Sequence, residues 1–312
     1  MPETLSSHRP GLAIAFKLSA MAIFSVMSAM IKAATAEVPS GEAVFFRAFF
    51  AIPVILGWLV LRGELRRGLV TRNIRGHFLR GLLGTVGMLL SFAGLSLLPL
   101  PEVTAIGYAT PIFTMILAAV ILGERFRLIR LSAVAVGLVG VVIMLWPRLG
   151  GAASLEQGAA LGAVLVLGST MASAMVQIHI RQLVQTEHTA AVVFYFMTSA
   201  AVLSLFTLPF GWVVPSGETL ALLVGAGLIG GVGQALMTSA YRYGQASMLA
   251  PYDYTSMIFA IILGYVWFSE LPQAITLMGA ALVIAGNVAV ILRERYLGIE
   301  RTKARSVSDP KA

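Results

Sequence analysis

The stretch Gly-Leu-Leu-Gly-Thr-Val-Gly at residues 81–87 recurs as Gly-Leu-Ile-Gly-Gly-Val-Gly at residues 227–233. The 146-residue offset continues without a gap: Tyr108 falls on Tyr254, Glu124 on Glu270, Leu131 on Leu277 and Gly140 on Gly286. A period near half of the 312-residue chain is too long for a solenoid and marks one unit duplicated head to tail.

Hydrophobic residues are 58% of the chain and charged ones 12%, and the mean hydropathy is +0.88. Apolar runs of roughly 18–23 residues recur, each able to cross a hydrocarbon core of about 30 Å. A soluble reading would need amphipathic helices with charged faces, which are absent. The chain reads as an all-α polytopic membrane protein with ten transmembrane helices, roughly 12–34, 43–61, 76–97, 101–121, 131–148, 158–180, 189–209, 219–241, 247–268 and 272–292. The first run is too long for the apolar part of a cleaved signal and contains Lys17. There is no cysteine, which removes disulfides, thiolate nucleophiles and Cys-type metal sites. His8, His77 and His188 fall in tails or loops and make no metal-ligand pattern. No metal or cofactor is expected.

The cations give the topology. Of 22 Lys and Arg, 17 lie in the tails and one alternate set of loops, and only Arg148 lies in the other set. Basic loops stay in the cytoplasm, so both termini are expected there, in a bacterial inner membrane. The basic tail is thus a topology signal and not a nucleic-acid site. Five spans per unit make the second copy enter from the opposite side. The turn after Glu124 carries Arg125, Arg127 and Arg130, whereas the matched positions hold Leu271, Gln273 and Thr276. The expectation is two five-helix inverted-topology repeats, 12–150 and 151–292, around a central cavity, with tails 1–11 and 293–312.

Five-helix units, a glycine-rich third helix, a proline in the fourth (Pro111, and Pro251 slightly shifted) and Gly-Glu before a fifth helix with spaced glycines resemble the EamA units of the drug/metabolite transporter superfamily. The stretch Ala-Pro-Tyr-Asp-Tyr-Thr-Ser-Met at 250–257 is similar to that of YddG-like amino-acid exporters. That resemblance implies export of aromatic and other neutral amino acids through a cavity open alternately to each side.

Gly81, Gly84 and Gly87 share one helical face, as do Gly227, Gly230 and Gly233. They serve close packing, or line a cavity and flex in gating. Asp253 is the one acid expected well inside a span. It has three candidate roles: binding a substrate amine, carrying a coupling proton, or pairing with Lys17 or Arg80. Pro251 before it, and Pro111 in the other half, should kink or unwind their helices. Substrate-binding candidates are Met27, Met88, Tyr108, Gln177, Gln234, Thr238, Tyr252, Asp253 and Tyr254. Lys17, Lys32 and Arg47 are expected to snorkel to the interfaces; the alternatives are substrate binding for Lys17, and an outer gate or attraction of a substrate carboxylate for Lys32 and Arg47.

A carrier exporting amino acids is the leading function. The alternative is a drug/metabolite-type carrier for another small metabolite or amine. An enzyme would need clustered His and carboxylates within the spans, and none are apparent. Few deep cations argue against phosphate-bearing substrates. The expected partners are a small-molecule substrate and the bilayer, with no signal for oligomeric state.

Overall fold

A computed structural model of the chain describes residues 10–122, 128–149, 156–183, 186–243 and 249–307. The tail through residue 9, Glu124 with Arg125 and Arg127, and the 150/151 junction lie outside these residues. The described residues form α1 (Pro10–Ala34), α2 (Ser40–Leu61), the short α3 (Leu65–Leu69), α4 (Ile74–Leu97), α5 (Leu100–Gly107), α6 (Thr110–Leu122), α7 (Leu128–Leu149), α8 (Glu156–Leu183), α9 (Thr189–Ser204), α10 (Gly217–Tyr243), α11 (Thr255–Phe268) and α12 (Ala274–Val307). Among the described residues, seven stretches are long and apolar enough to cross a membrane, and three shorter apolar helices, Ala135–Met144, Tyr252–Phe268 and Ala274–Ala289, bring the number to ten. Helices dominate because lipid offers no partner for backbone N–H and C=O groups, which a helix satisfies internally.

Three expected spans are not continuous α-helix. The fourth is interrupted at Tyr108 and Ala109, between α5 and α6. Pro111 has no N–H to give the carbonyl of Gly107, and the Thr110 hydroxyl donates to that carbonyl instead, at 2.8 Å. The ninth opens as a 3-10 turn over Ala250–Tyr254, which contains Pro251, before α11 begins. The seventh ends its α-helix at Ser204 and tightens into a 3-10 turn, Leu205–Phe210. Gly211 closes that turn at φ 90, a conformation open to glycine at no steric cost. The tenth differs in the other direction, because α12 runs on through the basic segment to Val307.

The packing repeats with the sequence. By the 146-residue offset, α1 corresponds to α8, α2 to α9, α4 to α10 and α7 to α12. The main contacts are α1 with α10 and α4 with α8, the same pairing taken once from each half. The helices α2 and α9, and α7 and α12, pack on their own equivalents.

Polar ties gather at both ends of the bundle. At one end Glu37 accepts from the Ser216 backbone N–H at 2.5 Å and from the Ser216 and Thr219 hydroxyls, so it caps the start of α10. Beside it, Glu42 accepts from the Val213 N–H at 3.1 Å. At the other end buried His77 meets Glu187 at 3.2 Å, and Glu187 also accepts from the Arg72 N–H at 3.0 Å. His77 was expected in a loop; it lies in α4 with 1% of its surface exposed.

Candidate functional site

The two interrupted spans face each other. The Tyr108 hydroxyl lies 3.2 Å from the carbonyl oxygen of Tyr254, to which it donates, and 2.8 Å from the Ser256 hydroxyl. The two rings meet edge to face with centroids 5.1 Å apart. Asn287 of α12 donates to the Tyr108 carbonyl at 3.2 Å. Repeat-equivalent residues are thus in direct contact where both helices break, and helix ends and unwound turns present polar backbone there. Alongside lies a cavity of about 110 Å³ lined by Met21, Phe24, Ser25 and Ser28 of α1, Leu100 and Thr104 of α5, and Ser256 and Ala260 of α11.

Asp253 sits in the 3-10 turn, not within a continuous helix, and its side chain is 44% exposed. Its partner is Lys17 of α1, at 2.6 Å. Lys17 does not snorkel: it is buried, and also reaches the Met237 sulfur at 3.4 Å. Lys32 does not snorkel either. It pairs with Glu270 at 3.0 Å and donates to the Leu98 carbonyl at 2.6 Å. The other oxygen of Glu270 accepts from the Leu100 N–H at 3.0 Å, so one carboxylate ties α1, the start of α5 and the turn before α12. Arg47 points inward as well, donating to the sulfurs of Met197 at 3.1 Å and Met88 at 3.6 Å. Asp253 is not the only acid drawn into the protein, since Glu42, Glu102 and Glu187 are buried more fully.

The repeat glycines lie at helix contacts. A Cβ on Gly81 would strike Ser199 of α9, and one on Gly227 would come within 2.9 Å of the Phe46 carbonyl of α2. Gly87 approaches α8 and Gly233 approaches α1. Gly84 and Gly230 face Arg80 with Phe196, and Met27 with Arg47, respectively.

The remaining candidates fall in different places. Met27 and Met88 come together around Arg47. Tyr252 stays in the 3-10 turn, where its carbonyl accepts from the Thr255 hydroxyl at 2.7 Å. Gln177 lies apart, its side-chain oxygen 3.3 Å from the Thr114 hydroxyl of α6. Gln234 and Thr238 line a narrow crevice with Ile55, Trp58 and Val193. The candidates thus gather in two clusters, with Gln177, Gln234 and Thr238 in neither. One is the break with Tyr108, Tyr254, Asp253 and Lys17; the other surrounds Arg47. Ser256 and Asn287 were missed, and Arg80 was considered only as an ion-pair partner for Asp253. Their only signal was a polar or basic residue standing inside an apolar run.

Ten apolar helical stretches with two facing, proline-interrupted helices define a polytopic membrane protein built to bury polar groups in its middle. A profile of the EamA-like transporter family matches residues 11–146 and 160–292, and the chain belongs to that family. It is 30% identical over 271 residues to the pseudopaline exporter CntI of Pseudomonas aeruginosa, covering 86% of this chain and 91% of that one. It is 30% identical over 298 residues to the S-adenosylmethionine uptake transporter of Rickettsia prowazekii, covering 95% of this chain and 97% of that one. A crystal structure at 20% identity superposes with a TM-score of 0.63 over 93% of this chain and 99% of its own, a likeness of fold alone.

Proposed function

We propose that the chain is a secondary carrier that moves a small organic metabolite across a bacterial inner membrane by alternating access, with both termini in the cytoplasm and the two halves inserted in opposite orientations. The contact between Tyr108 and the Tyr254 carbonyl at the two helix breaks carries this reading. It puts equivalent points of the two halves face to face beside the cavity, as a shared site between inverted repeats requires. The exchanged pairing of α1 with α10 and α4 with α8 supports the same symmetry. At about 110 Å³ the cavity holds a few waters and is smaller than a typical ligand pocket of roughly 300–1,000 Å³. Substrate admission therefore requires the half-helices to part.

The relatives handle pseudopaline and S-adenosylmethionine, which favours a metabolite carrier in the broad sense over a dedicated amino-acid exporter. Export of aromatic and other neutral amino acids is the narrower form of the proposal. One arrangement favours it: the half-exposed Asp253 carboxylate beside Lys17 can exchange its ammonium partner for a substrate amine. Tyr108, Tyr252, Tyr254 and Asp253 are the proposed substrate contacts at the break, with Met27, Met88, Gln177, Gln234 and Thr238 along the path. The repeat glycines, Pro111 and Pro251 are proposed for close packing and for bending of the helices.

The test is counterflow in proteoliposomes. Vesicles preloaded with S-adenosylmethionine, L-phenylalanine or L-leucine are challenged with the labelled compound. Accumulation of label above that in protein-free vesicles for at least one of the three is the expected result. Leakage equal for unrelated solutes, without counterflow, would identify a channel and overturn the carrier.

A further inference from the structure

We infer that Arg47 and Arg80 form a carboxylate-binding subsite in the middle of the bundle. The inference rests on the carrier reading and names the part of the substrate that this cluster grips. Among the described residues, the interior lysines each have an acid, Lys17 with Asp253 and Lys32 with Glu270. The interior arginines have none. Arg47 is buried with 5% of its surface exposed, and among the described residues its hydrogen-bond acceptors are the sulfurs of Met88 and Met197, which are weak acceptors. Arg80 lays its guanidinium over the Phe196 ring at 4.0 Å, and its Nε and Nη1 atoms are buried with no hydrogen-bond partner.

The two groups converge. Phe196 and Met197 are consecutive residues of α9, so Arg80 from α4 and Arg47 from α2 reach the same turn. The space they occupy comes from the repeat. A Cβ on Gly84 would collide with Arg80 Nη1, and one on the equivalent Gly230 would lie 3.7 Å from Arg47 Nε. Two like charges held together in an apolar interior, with donors unspent, are unfavourable until an anion joins them. The surroundings select which anion. Met27, Met88, Met197 and Phe196 supply no hydroxyl donors for the extra oxygens and second charge of a phosphate. Guanidinium forks match the two in-plane oxygens of a single carboxylate. The substrate class is therefore an organic carboxylate, including the carboxylate end of an amino-acid-type metabolite, with an apolar body against the methionines and Phe196.

Thermal unfolding of the purified full-length protein in detergent provides the test. The probes are benzoate, L-phenylalanine and S-adenosylmethionine, each compared with its methyl ester, and inorganic phosphate. At least one acid should raise the unfolding temperature, its ester should not, and phosphate should have the smaller effect. Affinity for that acid should fall about tenfold or more in Arg47→Met and in Arg80→Met, and return in part in Arg80→Lys. Without ligand, Arg80→Met should unfold at the wild-type temperature or above it, because an uncompensated buried charge has been removed. Stabilisation that survives both Met variants, esters or phosphate as effective as the acids, or no acid that stabilises, overturns the subsite. Lower ligand-free stability of Arg80→Met, with acid binding intact, would make the arginine a packing element. Counterflow separates this inference from the one beneath it. Transport of esters as well as acids removes the subsite and leaves the carrier, whereas binding without counterflow removes the carrier and leaves the subsite.

Discussion

Replacing Asp253 with Asn removes the carboxylate 2.6 Å from Lys17 Nζ, and its cost can be bounded. An ion pair in full contact with water contributes about 0–1 kcal/mol. Truncating one member of a fully buried pair costs about 3–5 kcal/mol, because the other charge loses its partner. Here the lysine is 1% exposed and the aspartate 44%, so solvent screens one side only. The expected loss lies between the limits, at about 1–2 kcal/mol. Lys17→Met removes the buried charge and keeps an apolar stem near Met237, and it should cost about 1 kcal/mol or less. The double variant should be less destabilised than the sum of the singles, by about 1 kcal/mol. Reversible unfolding in mixed micelles, measured on all four proteins, gives the coupling directly. Single effects that add to within about 0.5 kcal/mol would show that the two charges do not sense each other, and the reasoning would fail.

Two further outcomes follow from the contacts. Gly227→Ala should destabilise by about 1–3 kcal/mol, the usual range for overpacking, because its Cβ would press on the Phe46 carbonyl at 2.9 Å, whereas Gly107→Ala meets nothing within 4 Å and should be near neutral; equal effects in the same unfolding assay would contradict the close approach. Glu37 has its pKa held below the ordinary 4.5 by the Thr219 hydroxyl first and the Ser216 N–H and hydroxyl next. A carboxyl lowered on folding contributes stability that is complete above its unfolded value and is lost as pH falls through its lower folded value. Unfolding temperatures across that acidic window should therefore fall with pH in the wild type, and less steeply in Glu37→Gln; parallel curves would remove the cap.

The ten apolar stretches were legible because a span is a local property, about 20 apolar residues bounded by charge or turn. The helix breaks were legible in part: Pro111 and Pro251 marked where they fall, but nothing local showed that Tyr108 and Tyr254 touch. The fates of the cations were not legible. Lys17 and Asp253 are 236 positions apart, and a lysine near a helix end looks alike whether it snorkels to water or turns inward to an acid. The inward turn wins for Lys17 and Lys32 because each finds a carboxylate at 3.0 Å or less. The count of deep cations was misread for the same reason. Arg47 and Arg80 lie seven or so residues inside their helices, and only the fold shows both reaching the Phe196–Met197 turn.

The central claim is that one unit enters the membrane twice, in opposite directions, so that equivalent helix breaks meet. Glu64, after α2, and Phe210, at the end of the turn that follows α9, are equivalent positions 146 residues apart. The chain has no cysteine of its own, so Glu64→Cys and Phe210→Cys each introduce a single reporter. A membrane-impermeant maleimide applied to intact cells should label Phe210→Cys at once and Glu64→Cys only after the membrane is opened. Labelling of both positions from the same side would place the two halves in the same orientation and contradict the account.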